Sequence, residues 1–371
     1  MGKVNFINKE NLKIARENAG IDSFEASKKI SKVKRNLVAE WEEGESLPTW
    51  VQVSKLAKFY NISEFLLFSE KPIEKQRAVK DYRKGSFTKE DDKDVLKLIN
   101  IVITRQRWVE KYVKEAGLIK NKLQGLGKDI NDPKKLAELI AKSLEIEIEE
   151  VKKTSSYCKD PLKYYIEKAE NKGIFIGKTL SYHKISVEAM RGLFIANDYT
   201  PFIILNRKDS KSAQIFSLAH ELAHFFRKSE SISNVDFRDK NTDKEEVFCN
   251  KTAAELLLPE EEIENRFYGE EGISALALTY KISKLFVFYR LKSLKRIRAE
   301  DESYLEQKIN NDTNIAILKK NESKSVSGNY INSMKDSNGS LFNKIVYENY
   351  ASDKMGYTEA TRLLLFSPEK I

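Results

Sequence analysis

The residues in this chain best suited to chemistry are His220-Glu221-Leu222-Ala223-His224. On an α-helix, positions four apart share a face, so both imidazoles can reach one tetrahedral zinc ion. Glu221 stands between them, able to contact a metal-bound water without ligating the ion. The chemistry of such a set is hydrolytic: the ion acidifies a water, the carboxylate takes its proton, and the nucleophile attacks a polarised carbonyl. The chain holds only three histidines, which weighs against two satisfied core histidines falling at this spacing by coincidence.

The motif needs a helix to position it. Ile215, Leu218, Ala219, Leu222 and Phe226 supply an apolar stripe at helical steps, and the spacing predicts a helix over about 212–228. A catalytic zinc site also needs a third protein ligand, with the fourth position left for water. The remaining histidine, His183, lies upstream among strand-like segments. Glu246 is more attractive: a second helix over about 243–258 places Val247, Ala254 and Leu258 on an apolar face. Asn250 follows Glu246 by one turn, where its polar group can orient a ligand as a second-shell residue. Glu245 and Glu246 also fit a pair of solvated acids favoured by the helix dipole, and spacing alone leaves both readings open. The oxyanion donor is to be sought among Tyr182, His183, Tyr268 and Tyr280. Cys249 reads as a small buried thiol.

Around this centre, 371 residues suggest two or three domains, with 41% hydrophobic and 33% charged residues to build cores and a solvated surface. The net charge of +9 suits nucleic acid or any other acidic surface. Two cysteines, Cys158 and Cys249, cannot make a disulfide framework, which fits a reducing compartment. The N-terminus lacks the apolar core of a signal peptide, and no apolar run approaches the roughly 18 residues of a membrane span. The expectation is a soluble cytoplasmic protein with no membrane partner.

Residues 11–68 read as a packet of short helices, with Gly20 at a helix stop. A charged connector follows from Ser69 to Asp94, containing Gly85-Ser86 and Lys89–Asp94. Apolar residues from Val95 to Ala116 recur at helical steps and predict one long helix over 94–116. Asp132-Pro133 opens another helix. Gly173–Gly177, Gly192–Ala196 and Pro201–Leu205 read as strands. Further helix is expected to about residue 298, then a loose Asn-, Ser-, Lys- and Gly-rich connector over 309–340, and a helical tail from Leu341 to Leu365.

Three stretches then match a known pattern: Leu218–His224, Glu246–Asn250 and Ala253-Ala254-Glu255-Leu256-Leu257-Leu258-Pro259. Together they resemble the ImmA/IrrE family of bacterial metallopeptidases, over roughly 85–300. The run Pro201–Asn206 looks like the family's edge strand. The resemblance implies zinc (Zn2+) held by His220, His224 and Glu246, with Glu221 as catalytic acid/base, and a transcriptional repressor as protein substrate. The N-terminal residues Leu12–Gly20, Trp41–Thr49 and Leu56-Ala57 resemble an Xre/Cro-type helix-turn-helix. Its recognition helix would be about 34–41, with Lys28, Lys29, Lys32, Lys34 and Arg35 as DNA-binding residues. Glu40, Glu42, Glu43 and Glu45 oppose that reading, and a domain contacting protein is the alternative.

The expected fold is α+β, mostly α: a helix-turn-helix bundle, a zincin-like peptidase domain with a small sheet and an active-site helix, and a helical C-terminal region. In residues, this is a 1–70 helix-turn-helix domain, a 71–94 linker, a 95–265 peptidase domain, a 266–308 basic helix-turn-helix-like segment and a 309–371 C-terminal extension. The competing functional class is a DNA-binding regulator or antitoxin-like protein whose metal site is structural. The intact Glu221 favours the zinc metalloendopeptidase, since a structural site has no use for it.

Overall fold

The structure, a computed structural model, describes residues 3–19, 21–31, 34–60, 62–73, 89–117, 119–153, 160–229, 231–233, 244–322 and 329–371. Gly20, Lys32, Cys158 and the Gly85-Ser86 pair lie outside the described residues. Two compact units are present: residues 1–107 with 183–185, and residues 108–182 with 186–371.

The first unit holds α1 (Lys9–Asn18), α2 (Ser23–Ile30), α3 (Leu37–Glu43) and α4 (Trp50–Tyr60). Short polar side chains start these helices. Asn8 caps α1, Asp22 caps α2 and Asn36 caps α3, each accepting first-turn amides. Gly44 ends α3 at φ 86°, a left-handed conformation that glycine adopts without a Cβ penalty. Leu12, Ala26, Val38, Trp41, Val53 and Leu56 meet in one apolar core. Buried Ser27 ties α2 to α3: its hydroxyl donates to Ser23 O and accepts from Val38 N. Arg16 forks onto Glu42 at 2.7 and 2.9 Å.

The long helix α5 spans Lys89–Glu115. Lys89–Asp94, expected as linker, are therefore helical. Polar charges at i and i+4 are as compatible with a helix surface as with a connector.

The second unit begins its helices with α6 (Pro133–Leu144), α7 (Ile148–Lys153) and α8 (Pro161–Glu170). Asp132 caps α6 ahead of Pro133, as the dipeptide predicts. Strands β1 (Phe175–Lys178), β2 (Gly192–Ile195) and β3 (Phe202–Leu205) fall where the β-branched runs place them, and β4 (Ser231–Ser233) adds a strand the sequence did not announce. The sheet order is β1-β3-β2-β4. β3 pairs parallel with β1 and antiparallel with β2, and β2 pairs antiparallel with β4. β3 is thus an inner strand, which corrects the expectation of an edge. All four of its residues are buried, as suits a strand paired on both sides.

Between β3 and β4 runs α9 (Lys211–Arg227), capped by Ser210, followed after β4 by α10 (Lys244–Leu257). The second unit continues with α11 (Glu270–Tyr280), α12 (Lys284–Ser293), α13 (Glu302–Glu322), α14 (Tyr330–Asn338), α15 (Ser340–Ala351) and α16 (Tyr357–Leu364). Helices α13 and α14 correct the expected loose connector over 309–340. Polar composition does not require a loop: Asn329 caps α14, and Ser337 and Asn338 at its end are buried. Buried Glu170, at the end of α8, accepts from Leu341 N in the first turn of α15. No helix among the described residues is long and apolar enough to cross a membrane.

Candidate metal centre

Every residue of α9 from Gln214 to Phe226 is buried, a fuller burial than one apolar stripe requires. The helix is a central core element, and its three polar motif residues are carried inside with it. His220 and Glu221 are 0% exposed and His224 is 1% exposed. Ionisable groups are not left in such surroundings without partners or a metal.

The partners come from α10. Glu246 Oε2 lies 3.2 Å from His220 Nε2, and Glu246 Oε1 lies 3.5 Å from His224 Nε2. The two Nε2 atoms are 2.9 Å apart. Two neutral imidazoles with lone pairs facing at that distance repel unless a cation or shared proton lies between them. The donor chemistry therefore fits a divalent cation: two imidazole nitrogens and one carboxylate within 4.8 Å of one another. Burial pushes the Glu246 carboxyl up, but the two imidazoles outweigh this and hold it well below the ordinary carboxylate range. Burial likewise disfavours the charged form of His224. Cys249, Glu246 and Glu221 overcome that and hold its imidazole well above its usual value.

A second layer fixes His224. With a metal ion on its Nε2 the ring would be neutral and carry its proton on Nδ1, which faces Ser229 Oγ at 2.9 Å. Ser229 Oγ donates onward to Glu245 Oε1 at 3.3 Å, and Arg227 forks onto both Glu245 oxygens at 3.0 Å. The Arg227 guanidinium holds the Glu245 carboxyl below its ordinary range against the opposing effect of burial. The adjacent acids of α10 therefore do different work. Glu246 faces the imidazoles, while Glu245 anchors the relay behind one of them. Cys249 is fully buried with Sγ 3.6 Å from His224 Nδ1, and burial pushes its thiol up.

Glu221 owes its place to a residue that sequence reasoning passed over. Gly192 opens β2, and a Cβ built on it would sit 2.4 Å from Glu221 Oε1 and 2.9 Å from its Cγ. Only a glycine leaves room for the carboxylate. The pattern Gly192-Leu193-Phe194-Ile195 signals a strand but not this clearance.

The other predicted residues fall as follows. Asn250 Oδ1 is buried with no hydrogen-bond partner among the described residues, as is His220 Nδ1. His183 belongs to the first unit, where burial lowers its imidazole to about 4 while Asp94 opposes the shift. Tyr182 is exposed. Tyr268 accepts from Glu264 N, and Tyr280 donates to Glu262 at 2.6 Å. Lys28, Lys29, Lys34 and Arg35 are exposed on the first unit, and Arg35 pairs with Glu40 at 2.9 Å. In the basic 266–308 segment, Arg290 is buried and paired with Glu255 at 2.6 Å, and Lys292 pairs with Glu302. Those cations serve the fold.

Neither curated proteins nor solved structures provide a match to the chain. Residues 176–292, which carry nearly all of the four-stranded sheet, both ligand-bearing helices, α11 and most of α12, match the family model described as IrrE N-terminal-like domain (Peptidase_M78), so this part of the chain is similar to a metallopeptidase domain.

Proposed function

We propose that the protein is a zinc-dependent endopeptidase in which His220, His224 and Glu246 hold the ion, Glu221 is the general base and the substrate is a transcriptional repressor. The observation that carries this reading is the fully buried Glu221 beside the three ligand candidates, with Gly192 leaving space for its carboxylate. A structural zinc site needs ligands alone.

A zinc ion held there would supply Lewis-acid polarisation of a carbonyl and would bring the pKa of a water toward neutrality. The chain's own residues do the rest. Glu221 takes the proton of the attacking water and returns it to the leaving amine. Gly192 confines that carboxylate, and the Ser229–Glu245–Arg227 relay holds the His224 ring. Burial of α9 keeps bulk water from the base, which strengthens electrostatic interactions within the site. The repressor assignment is supported by the family resemblance. The exposed Lys28, Lys29 and Lys34 support an N-terminal helix-turn-helix that meets DNA with α3.

A second reading of that N-terminal part, as a protein-binding module, is favoured by the pairing of Arg35 with Glu40 and by exposed Glu43 and Glu45. Duplex DNA titrations at two salt concentrations separate the two. Phosphate-contacting lysines give affinity that falls steeply with salt.

The test of the enzyme is metal content and cleavage, measured together. Elemental analysis should find about one zinc per chain in wild type and in Glu221→Gln, and loss of zinc in Glu246→Ala and His224→Ala. Labelling of new N-termini in a peptide mixture should show cleavage by wild type only. Cleavage retained in Glu221→Gln would sink the mechanism, and absence of metal in zinc-supplied wild type would move the assignment to a binding protein.

A further inference from the structure

A cavity of about 220 Å³ is lined by residues of α9, α10 and α12, the helices of the ligand candidates and their neighbour, though no ligand candidate itself lines it. Two of its wall residues sit one helical turn from a ligand. Phe216 precedes His220 by four positions, and Asn250 follows Glu246 by four, so each shares a face with the ligand it neighbours. The Phe216 ring lies 6.5 Å from the His220 ring and 5.5 Å from Phe286, which with Tyr289 forms the α12 side. The cavity thus begins about one side chain from the ligand atoms. Successive Cα atoms of a peptide are about 3.8 Å apart, so a residue flanking a scissile carbonyl over the cluster falls within reach of it.

The lining states what enters. Phe216, Phe286, Tyr289 and Ala254 make an apolar wall with space for one side chain of leucine to phenylalanine size. Its charges are cationic: Lys251 is exposed at its edge, while Arg290 is neutralised by Glu255 and donates Nε to Leu258 O. Apart from the Arg290 guanidinium, which is ion-paired with Glu255, the buried polar atom without a hydrogen-bond partner among the described residues is Asn250 Oδ1. A bare buried acceptor is costly, and an extended peptide carries a backbone N–H beside every side chain to satisfy it.

Resting on the peptidase reading, we infer that this cavity is the specificity pocket: it receives an apolar side chain unbranched at Cβ (Leu, Met or Phe) next to the scissile bond, with Asn250 accepting the adjacent substrate amide. A lysine or arginine at that position is disfavoured by Lys251.

The probes are hydroxamates that carry a single side chain next to the zinc-chelating group, titrated calorimetrically into the zinc-loaded full chain. The series is Gly, Leu, Phe, Glu and Lys. Leu and Phe should bind roughly ten- to a hundred-fold tighter than Gly, from burial of one apolar side chain. Lys should bind less tightly than Gly. Ala254→Phe, which fills the cavity, should bring the Leu-to-Gly ratio near one. Lys251→Glu, an exposed change that keeps the fold testable, should raise the Lys-to-Gly ratio. Methylating the amide nitrogen of the Leu probe should weaken it by roughly five-fold or more through the lost bond to Asn250. Equal binding of all side chains overturns the pocket, and an N-methyl probe of unchanged affinity overturns the role of Asn250. Failure of every hydroxamate to bind the zinc-loaded chain would overturn the peptidase reading itself, a result distinct from binding without discrimination.

Discussion

Gly192→Ala is the sharpest test of how the site works, because it adds one methyl group and touches no ligand. The three atoms nearest the added Cβ all belong to Glu221: Oε1 at 2.4 Å, Cγ at 2.9 Å and Cδ at 3.0 Å. Relief to ordinary contact distance requires the carboxylate to move by about 1 Å. A displacement of about 1 Å in a reacting group costs on the order of a hundred-fold, and complete loss of a general base costs roughly 10² to 10⁴. The expected fall in kcat/KM lies in that range, about 3 to 5 kcal/mol of transition-state stabilisation. Zinc content should stay near wild type, since the ligand atoms come from α9 and α10. The assay pairs cleavage of a peptide recovered from the N-terminal labelling experiment with zinc analysis and thermal melting on the same preparations. Combining Gly192→Ala with Glu221→Gln should cost no more than Glu221→Gln alone, because both act on one carboxylate. Wild-type turnover in Gly192→Ala would refute the argument. So would a loss of turnover that is accompanied by loss of zinc.

Ser229→Ala removes the acceptor of the His224 Nδ1 proton and unlinks Glu245; zinc affinity, measured by competition with a chelator, should fall about 10- to 100-fold while the chain stays folded. Glu170 gives a pH signature distant in kind from the metal site. Burial raises its carboxyl to about 7, above the unfolded value near 4.5, and the amide of Leu341 only partly offsets this. A carboxyl raised on folding favours the folded state when protonated, so its contribution is full below the unfolded value and is lost as pH rises through about 7. The melting temperature of wild type relative to Glu170→Gln should therefore decline between about pH 4.5 and 7, and a flat difference would exclude the buried acid as its source. Arg16→Ala, which leaves Glu42 without its fork, should destabilise the first unit by roughly 1 to 3 kcal/mol in denaturant melts, and should leave zinc content unchanged.

What could be read without coordinates follows from how far apart in the chain the cooperating residues stand. His220, Glu221 and His224 are legible because helical periodicity converts their spacing directly into a shared face. Glu246 sits 22 positions beyond His224, so its approach depends on how α10 packs against α9, and spacing left it level with a solvated helix-start acid. Its neighbour Glu245 illustrates the same limit. Both acids satisfy the first-turn preference of a helix, and only the position of Arg227 and Ser229 tells which one turns toward the metal cluster and which anchors the ring behind it. Sheet order was hidden for a related reason. The run Pro201–Asn206 resembles the family's edge strand, whereas β4 returns after α9 to pair with β2 and leaves β3 inside. The polar run over 309–340 misled because polar residues occur in capped helices as well as in loops, and those at the end of α14, Ser337 and Asn338, are buried. Gly192 lies furthest from any motif. Its contribution is the absence of a side chain, and the partner that needs that absence is 29 positions downstream. A chain with the same His-Glu-x-x-His run and an alanine at 192 would display the metallopeptidase pattern intact while its base was pushed out of place. Predicting activity from the motif therefore requires the residue on the facing strand as well as those on the helix.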